Sequence, residues 1–177
     1  LPVIAAMVAF ACSGAVAMIY EVAWTRSLLM VIGSSTYAFT VMLSTFLIGI
    51  FVGSFVCARF VDRFPQPLMM LALAQLLVCI GGFLSVYLFN YVPYWNVAIN
   101  AAFIDQANAA LVVRFLLAAA VLLPITLCLG AIFPLVVRTC TTALHSVGRS
   151  IGTLYSANTF GAIIGAFLAG FVIIPIT

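Results

Sequence analysis

The sequence has very little charge. Its only charged side chains are six arginines and three carboxylates among 177 residues, or 5%, and it contains no lysine. Soluble proteins carry about 25% charged residues. Since 67% of the chain is hydrophobic, with a mean hydropathy of +1.39, a water-soluble protein is excluded. The arginines are scattered along the chain, so we expect no nucleic-acid partner.

Metal ligands and redox pairs are also scarce. The single histidine, His145, excludes a bis-histidine haem or a multi-histidine metal centre built from this chain alone. The five cysteines form no CxxC pair, and each lies in or beside an apolar run, where a cysteine usually acts as a small hydrophobic residue. We therefore predict no metal, no cofactor and no catalytic residue in this chain.

Long apolar runs dominate what the sequence does contain. A helix needs about 20 apolar residues to cross about 30 Å of hydrocarbon, so the runs predict an all-α integral membrane protein with one transmembrane domain over residues 1–177. The predicted spans lie near residues 3–32, 36–60, 68–90, 111–137 and 150–175. The first is too long for one straight crossing. It is either strongly tilted, or it ends near Tyr20 and a second short helix continues along the membrane surface.

The arginines predict the orientation. Arg59 and Arg63 follow the second span, and Arg138 and Arg149 flank the loop after the fourth. The positive-inside rule makes this side cytoplasmic. The N-terminus is then cytoplasmic, and the 91–110 connection is external.

Two pairs of glycines predict close helix contacts. Gly49 with Gly53, and Gly161 with Gly165, are GxxxG motifs in the second and fifth spans. Small residues four positions apart let two helix backbones approach closely within a membrane. The motif is common, however, and by itself indicates helix packing rather than a function.

Charged residues inside or beside the spans are costly to place in a membrane, and they usually face protein or water. Glu21 and Arg26 lie about 140° apart around a helix, so they do not form a pair with each other. We expect partners on other helices, with Arg114 for Glu21 and Asp105 for Arg26. Such a polar network would serve a structural role, or it would belong to a binding site.

The candidate substrate-binding residues are Glu21, Tyr20, Trp24 and Asn158. A carboxylate attracts a cation, and the two neighbouring aromatic rings supply faces for a cation–π contact. Asn158 lies about 12 Å into the fifth span, where its amide needs polar partners. It either bonds to a neighbouring helix or lines a polar cavity.

Several segments together resemble the membrane domain of bacterial spermidine synthase-like proteins, in which a transporter-like domain precedes an aminopropyltransferase domain. The segments are YEVAWTR (20–26), GSSTYAF (33–39), GIFVGS (49–54), ARFVDR (58–63), LGAIFPLVVR (129–138) and VGRSIGTLYSANTFGAIIGAFLAG (147–170). The resemblance implies a bacterial inner membrane location and a bundle similar to one half of a major facilitator superfamily transporter.

The loop after the second span is similar to the motif Gly-x-Leu-Ala-Asp-Arg-x-Gly-Arg of that superfamily. Asp62 and Arg63 match it, whereas Ala58 replaces the first glycine and residues 65–66 replace the final Gly-Arg. By this resemblance Arg59, Asp62 and Arg63 form a cytoplasmic latch, in which the aspartate faces an arginine or a helix N-terminus.

The catalytic domain of the resembled family is absent from this sequence, which has no Gly-rich strand-to-helix turn and no acidic substrate clamp. Because the chain begins with Leu1 rather than methionine, we expect it to be part of a longer protein. A polyamine aminopropyltransferase activity would then belong to a C-terminal region.

Two functions remain open from the sequence. The first is a transporter-like domain that handles a polyamine or another small cationic solute, completed by a missing second half or by a homodimer. The second is a non-catalytic structural or anchoring subunit, held among other membrane subunits by the small-residue faces of spans two and five.

Overall fold

The computed structural model of the chain describes residues 2–63, 65–103, 106–141 and 147–176, and these residues form helices and no strand. The helices are α1 (Pro2–Ile32), α2 (Ser35–Phe60), α3 (Pro67–Phe89), α4 (Val92–Ala102), α5 (Ala107–Thr141), α6 (Val147–Leu168) and α7 (Ile174–Ile176). A 3₁₀ turn, Val61–Arg63, follows α2, and a π-helical turn, Ala169–Ile173, joins α6 to α7. The predicted all-α fold is confirmed.

Five helices of the described part are long and apolar enough to cross a membrane. Their spans are Val3–Met30, Thr36–Arg63, Pro67–Phe89, Asn108–Cys140 and Ile151–Ile173. The prediction of a multi-pass membrane protein with five spans is therefore confirmed, with small shifts at the span ends. Helix α4, at 11 residues, is too short to cross a bilayer and lies between the third and fourth spans.

The first span is a single helix. Its 31 residues extend about 46 Å at 1.5 Å per residue, which exceeds the bilayer core of about 30 Å. The alternative of a break near Tyr20 is therefore wrong. The chain instead breaks at Gly33, whose φ of 75° is a left-handed conformation that only glycine adopts at little cost.

The closest helix pairs are α1 with α6 and α2 with α5, while α3 packs on α5 and touches α1. Glycines make these contacts possible. A Cβ atom on Gly161 would overlap the backbone of Ala11, and one on Gly53 would overlap the backbone of Leu127. Both GxxxG motifs thus lie where two backbones meet, as the sequence predicted.

The two helix pairs are related by a simple exchange. Spans one, two, four and five are helices α1, α2, α5 and α6. If span one is exchanged with span four, and span two with span five, the pair α1–α6 becomes the pair α5–α2. Successive spans cross in opposite directions, so this exchange also inverts the bundle. The glycines follow the same relation, because Gly49 and Gly161 each occupy the fifteenth position of their helix. The α1–α6 and α2–α5 pairs are therefore equivalent in their order along the chain.

An aromatic cluster lies at the α3–α4 junction. The Tyr87 and Tyr91 hydroxyl groups lie 2.9 Å apart, and the two rings meet edge to face. The hydrogen bond with Tyr87, together with some burial, raises the pKa of Tyr91. Tyr94 is exposed nearby. Tyrosines of this kind are typical of the headgroup zone of a membrane.

Candidate functional site

A cavity of about 350 Å³ lies between α1, α2, α5 and α6, and α3 contributes nothing to its wall. Most of the wall is apolar and includes three phenylalanine rings. Its polar lining residues are Ser13, Ser54, Tyr155 and Asn158. Small-molecule sites in proteins combine a mainly apolar wall with a few polar groups in this way. We refer to it as the central cavity.

Asn158 is the most informative polar group in this wall. A Cβ atom on Gly14 would lie 2.7 Å from Asn158 Oδ1, so the glycine leaves room for the amide. Within the described residues the Asn158 side chain has no hydrogen-bond partner. The sequence left open whether Asn158 bonds to a neighbouring helix or lines a polar cavity, and in the structure it lines the central cavity. An amide in an apolar wall is costly unless a water or a ligand bonds to it.

Glu21 lies one helical turn beyond the cavity on the same face of α1. It follows Ala17 by four residues and Met18 by three, and both of these residues line the cavity. Its carboxylate is partly buried and forms no ion pair or hydrogen bond within the described parts of the chain. Glu21 therefore lies on the face of α1 that borders the central cavity, and Asn158 borders the same cavity from α6.

The predicted charge network differs from the observed contacts. No ion pair joins Glu21 to Arg114, although both lie in the described part of the chain. Arg114 Nη2 instead donates a hydrogen bond to Asn100 Oδ1 at 2.5 Å, which ties α5 to α4. Arg26 is exposed, and its predicted partner, Asp105, lies outside the described residues.

Tyr20 and Trp24 face α3 rather than the cavity. The Tyr20 hydroxyl donates to the carbonyl oxygen of Val78 at 3.1 Å, and Trp24 Nε1 donates to Ser85 Oγ at 3.3 Å. The two rings stack with their centroids 4.9 Å apart. Trp24 is only 2% exposed. These two predicted binding residues hold α1 against α3.

Gln75 on α3 adds two hydrogen bonds between α3 and α1, beside the central cavity. Its Nε2 donates to Ser13 Oγ at 2.5 Å and to the carbonyl oxygen of Ala9 at 2.9 Å. The sequence analysis did not identify the cavity residues Ser13, Ser54 and Tyr155, nor Gln75, which bonds to Ser13 from outside the cavity wall. Gln75 had a usable signal, because it is an amide in the middle of an apolar span.

A second cleft, of about 380 Å³, lies between the ends of α2 and α5 and shares Ser54 and Phe133 with the central cavity. Asp62 and Arg138 line it and form an ion pair, with Oδ1 and Nε 3.4 Å apart. The resemblance implied that Asp62 faces an arginine or a helix N-terminus, and in the structure Asp62 faces Arg138. The ion pair flanks the cleft that leads towards the central cavity.

The other two predicted latch residues take no part in this pair. Arg59 and Arg63 are exposed, and the guanidinium of Arg63 lies over the ring of Phe60, 5.2 Å from its centroid. The structure therefore separates the three predicted residues into Asp62, which is paired across the cleft, and two arginines that face outward.

The described residues contain no group of three histidine, cysteine or acidic side chains able to hold a metal ion. The candidate site is a mainly apolar cavity with four neutral polar side chains in its wall, and the carboxylate of Glu21 lies one helical turn beyond it. Comparisons with protein-family models, with curated proteins and with solved structures found no match to this chain.

Proposed function

We propose that this chain is a transporter-like membrane domain that binds a small amine, such as a polyamine, in the central cavity. One observation carries the proposal. The amide of Asn158 has no partner within the described residues, and it lines a cavity that ends one helical turn of α1 before the carboxylate of Glu21.

The helix pairing supports a transporter-like architecture. In many transporters the substrate site lies near the bilayer midplane, where two inverted repeats meet. Here the cavity lies between the two exchange-related pairs, α1–α6 and α2–α5, while α3 stays outside. This arrangement agrees with the resemblance to half of a major facilitator superfamily transporter and to spermidine synthase-like membrane domains. A second half or a second copy would enclose the cavity from its open side.

The chemistry of the wall suits an alkyl amine. Phenylalanine rings can pack against methylene groups, and aromatic faces attract an ammonium group. Asn158 can accept a hydrogen bond from that ammonium, and Glu21 supplies the opposite charge. A volume of about 350 Å³ lies at the lower end of the range for small-molecule sites, about 300–1,000 Å³.

The test is direct binding of labelled spermidine to the purified protein in lipid nanodiscs. Hydrogen bonds to a charged group contribute about 1.5–3 kcal/mol, so E21Q should weaken binding by about 10- to 150-fold. N158L should also weaken it, because leucine fills a similar space without the amide. D62N is the comparison variant, since Asp62 is an exposed carboxylate that pairs with Arg138 in the second cleft and does not line the central cavity. Equal affinity of E21Q and the unaltered protein would contradict an amine site at Glu21.

The alternative role, a structural or anchoring subunit, draws less support from these contacts. The small-residue faces of the second and fifth spans suggested that partners bind there. Both faces are instead occupied within the chain, Gly53 by α5 and Gly161 by α1. Co-purification of a stoichiometric membrane partner in mild detergent, without spermidine binding, would favour the anchoring role.

A further inference from the structure

A separate apolar groove runs along the surface between α2, α3 and α5, with a volume of about 470 Å³. We refer to it as the α2–α3 groove. It extends from Gly53 and Leu77 near the middle of the spans to Phe60 and Met70 at their ends. Along α2 this is about 10 Å at 1.5 Å per residue, which compares with about 15 Å for one leaflet of a bilayer core.

Two arginines lie at the end of this groove. Val56 and Phe60 line it, and Arg63 continues the same helical face, with its guanidinium over the Phe60 ring at 5.2 Å. Arg59 borders that face one turn earlier and is exposed. The nearby carboxylate, Asp62, is engaged by Arg138. Within the described residues, Arg59 and Arg63 form no ion pair.

We propose that the α2–α3 groove binds an anionic phospholipid, with one acyl chain in the groove and the phosphate held by Arg59 and Arg63. The groove has the dimensions for the upper part of an acyl chain, and its walls offer that chain almost no polar surface. The two guanidinium groups can donate charge-assisted hydrogen bonds to phosphate oxygens. Helix α3 also begins at this end, so its dipole favours an anion there.

The charge balance favours an anionic lipid over a zwitterionic one. A phosphatidylcholine headgroup brings a quaternary ammonium that two arginines repel, whereas phosphatidylglycerol brings only the phosphate charge. Arginines beside an anionic membrane surface each favour binding by about fivefold. The site is separate from the central cavity, and the proposal does not depend on amine binding.

The test is native mass spectrometry of protein taken from vesicles with equal amounts of phosphatidylglycerol and phosphatidylcholine. The unaltered protein should retain phosphatidylglycerol in excess. The double variant R59Q/R63Q should lose most of that excess, about fivefold for each arginine. R26Q is the matched control, because Arg26 is also exposed but lies on α1, away from the groove. An equal ratio of the two lipids on the unaltered protein, or the same loss in R26Q, would overturn the proposal.

A second pair of variants tests the groove itself. Leu73 lines the groove and is 45% exposed, whereas Leu76 lies outside it on the same helix and is 55% exposed. L73W should reduce the amount of lipid retained, because the indole occupies the space of the acyl chain. L76W should leave lipid retention unchanged. The same retention in both variants would show that the groove does not hold the lipid.

Discussion

Replacing Gly161 with alanine tests the backbone contact between α1 and α6. A methyl group at this position would lie 2.7 Å from the carbonyl carbon of Ala11, and its carbonyl oxygen is closer still. The obstacle is backbone rather than a flexible side chain, so the two helices must separate to admit the methyl group. Gly152, in the same helix, has no atom within 4 Å of its Cβ position and is the matched control.

The comparison of G161A with G152A isolates the cost of the overlap. Alanine favours a helix over glycine by about 1 kcal/mol, and both variants gain this stabilisation. Overpacking costs about 1–3 kcal/mol, and only G161A incurs it. For a chain of this size 1 kcal/mol corresponds to about 2–4 °C in Tm. We therefore expect the Tm of G161A to lie about 2–12 °C below that of G152A.

The measurement is thermal unfolding of each variant in the same detergent, followed by loss of the monodisperse peak in size-exclusion chromatography. G152A should be at least as stable as the unaltered protein. The reasoning is refuted if G161A and G152A have the same Tm, since Gly161 would then not lie at a backbone contact.

Three further substitutions separate structural roles from binding roles. Y20F should lower stability by about 0.5–1.5 kcal/mol, because it removes the hydrogen bond to Val78, and it should leave spermidine affinity unchanged. Weaker spermidine binding by Y20F, at unchanged stability, would instead place the hydroxyl at the binding site. T45V should leave Tm unchanged or raise it, because the buried Thr45 hydroxyl has no hydrogen-bond partner within the described residues; a clear fall in Tm would indicate that this hydroxyl is bonded. D62N should change Tm by no more than about 4 °C, because exposed ion pairs contribute about 1 kcal/mol at most; a larger loss would show that the pair with Arg138 holds α2 against α5.

Much of the fold was predictable because a membrane imposes strong rules. In hydrocarbon a backbone without internal hydrogen bonds is too costly, so long apolar runs must be helices. The five spans followed from run length alone, and the GxxxG contacts followed from the small size of glycine. The end of the first span was harder to predict, because an apolar sequence does not itself show how far a tilted helix continues beyond the bilayer core.

The candidate site was less predictable, because its parts come from different helices. The segment around Glu21 suggested one site with Tyr20 and Trp24. Helical geometry instead divides it, since Glu21 lies on the cavity side of α1 while the two aromatic residues lie on the α3 side. Ser54 and Tyr155 carried no signal of their own, because serine and tyrosine are common in membrane helices.

The sequence by itself determined that this is an all-α membrane protein with five spans, because the hydrophobic effect and backbone hydrogen bonding act on each segment separately. It also identified the glycines of the two GxxxG motifs as helix contacts, although other glycines lie at such contacts as well. Only the tertiary structure decided which helices pair, that α1 meets α6 while α2 meets α5, and that Asn158 faces a cavity. Those outcomes depend on the relative rotation of helices that are distant in the chain, and hydropathy, which is nearly uniform around each span, does not specify that rotation.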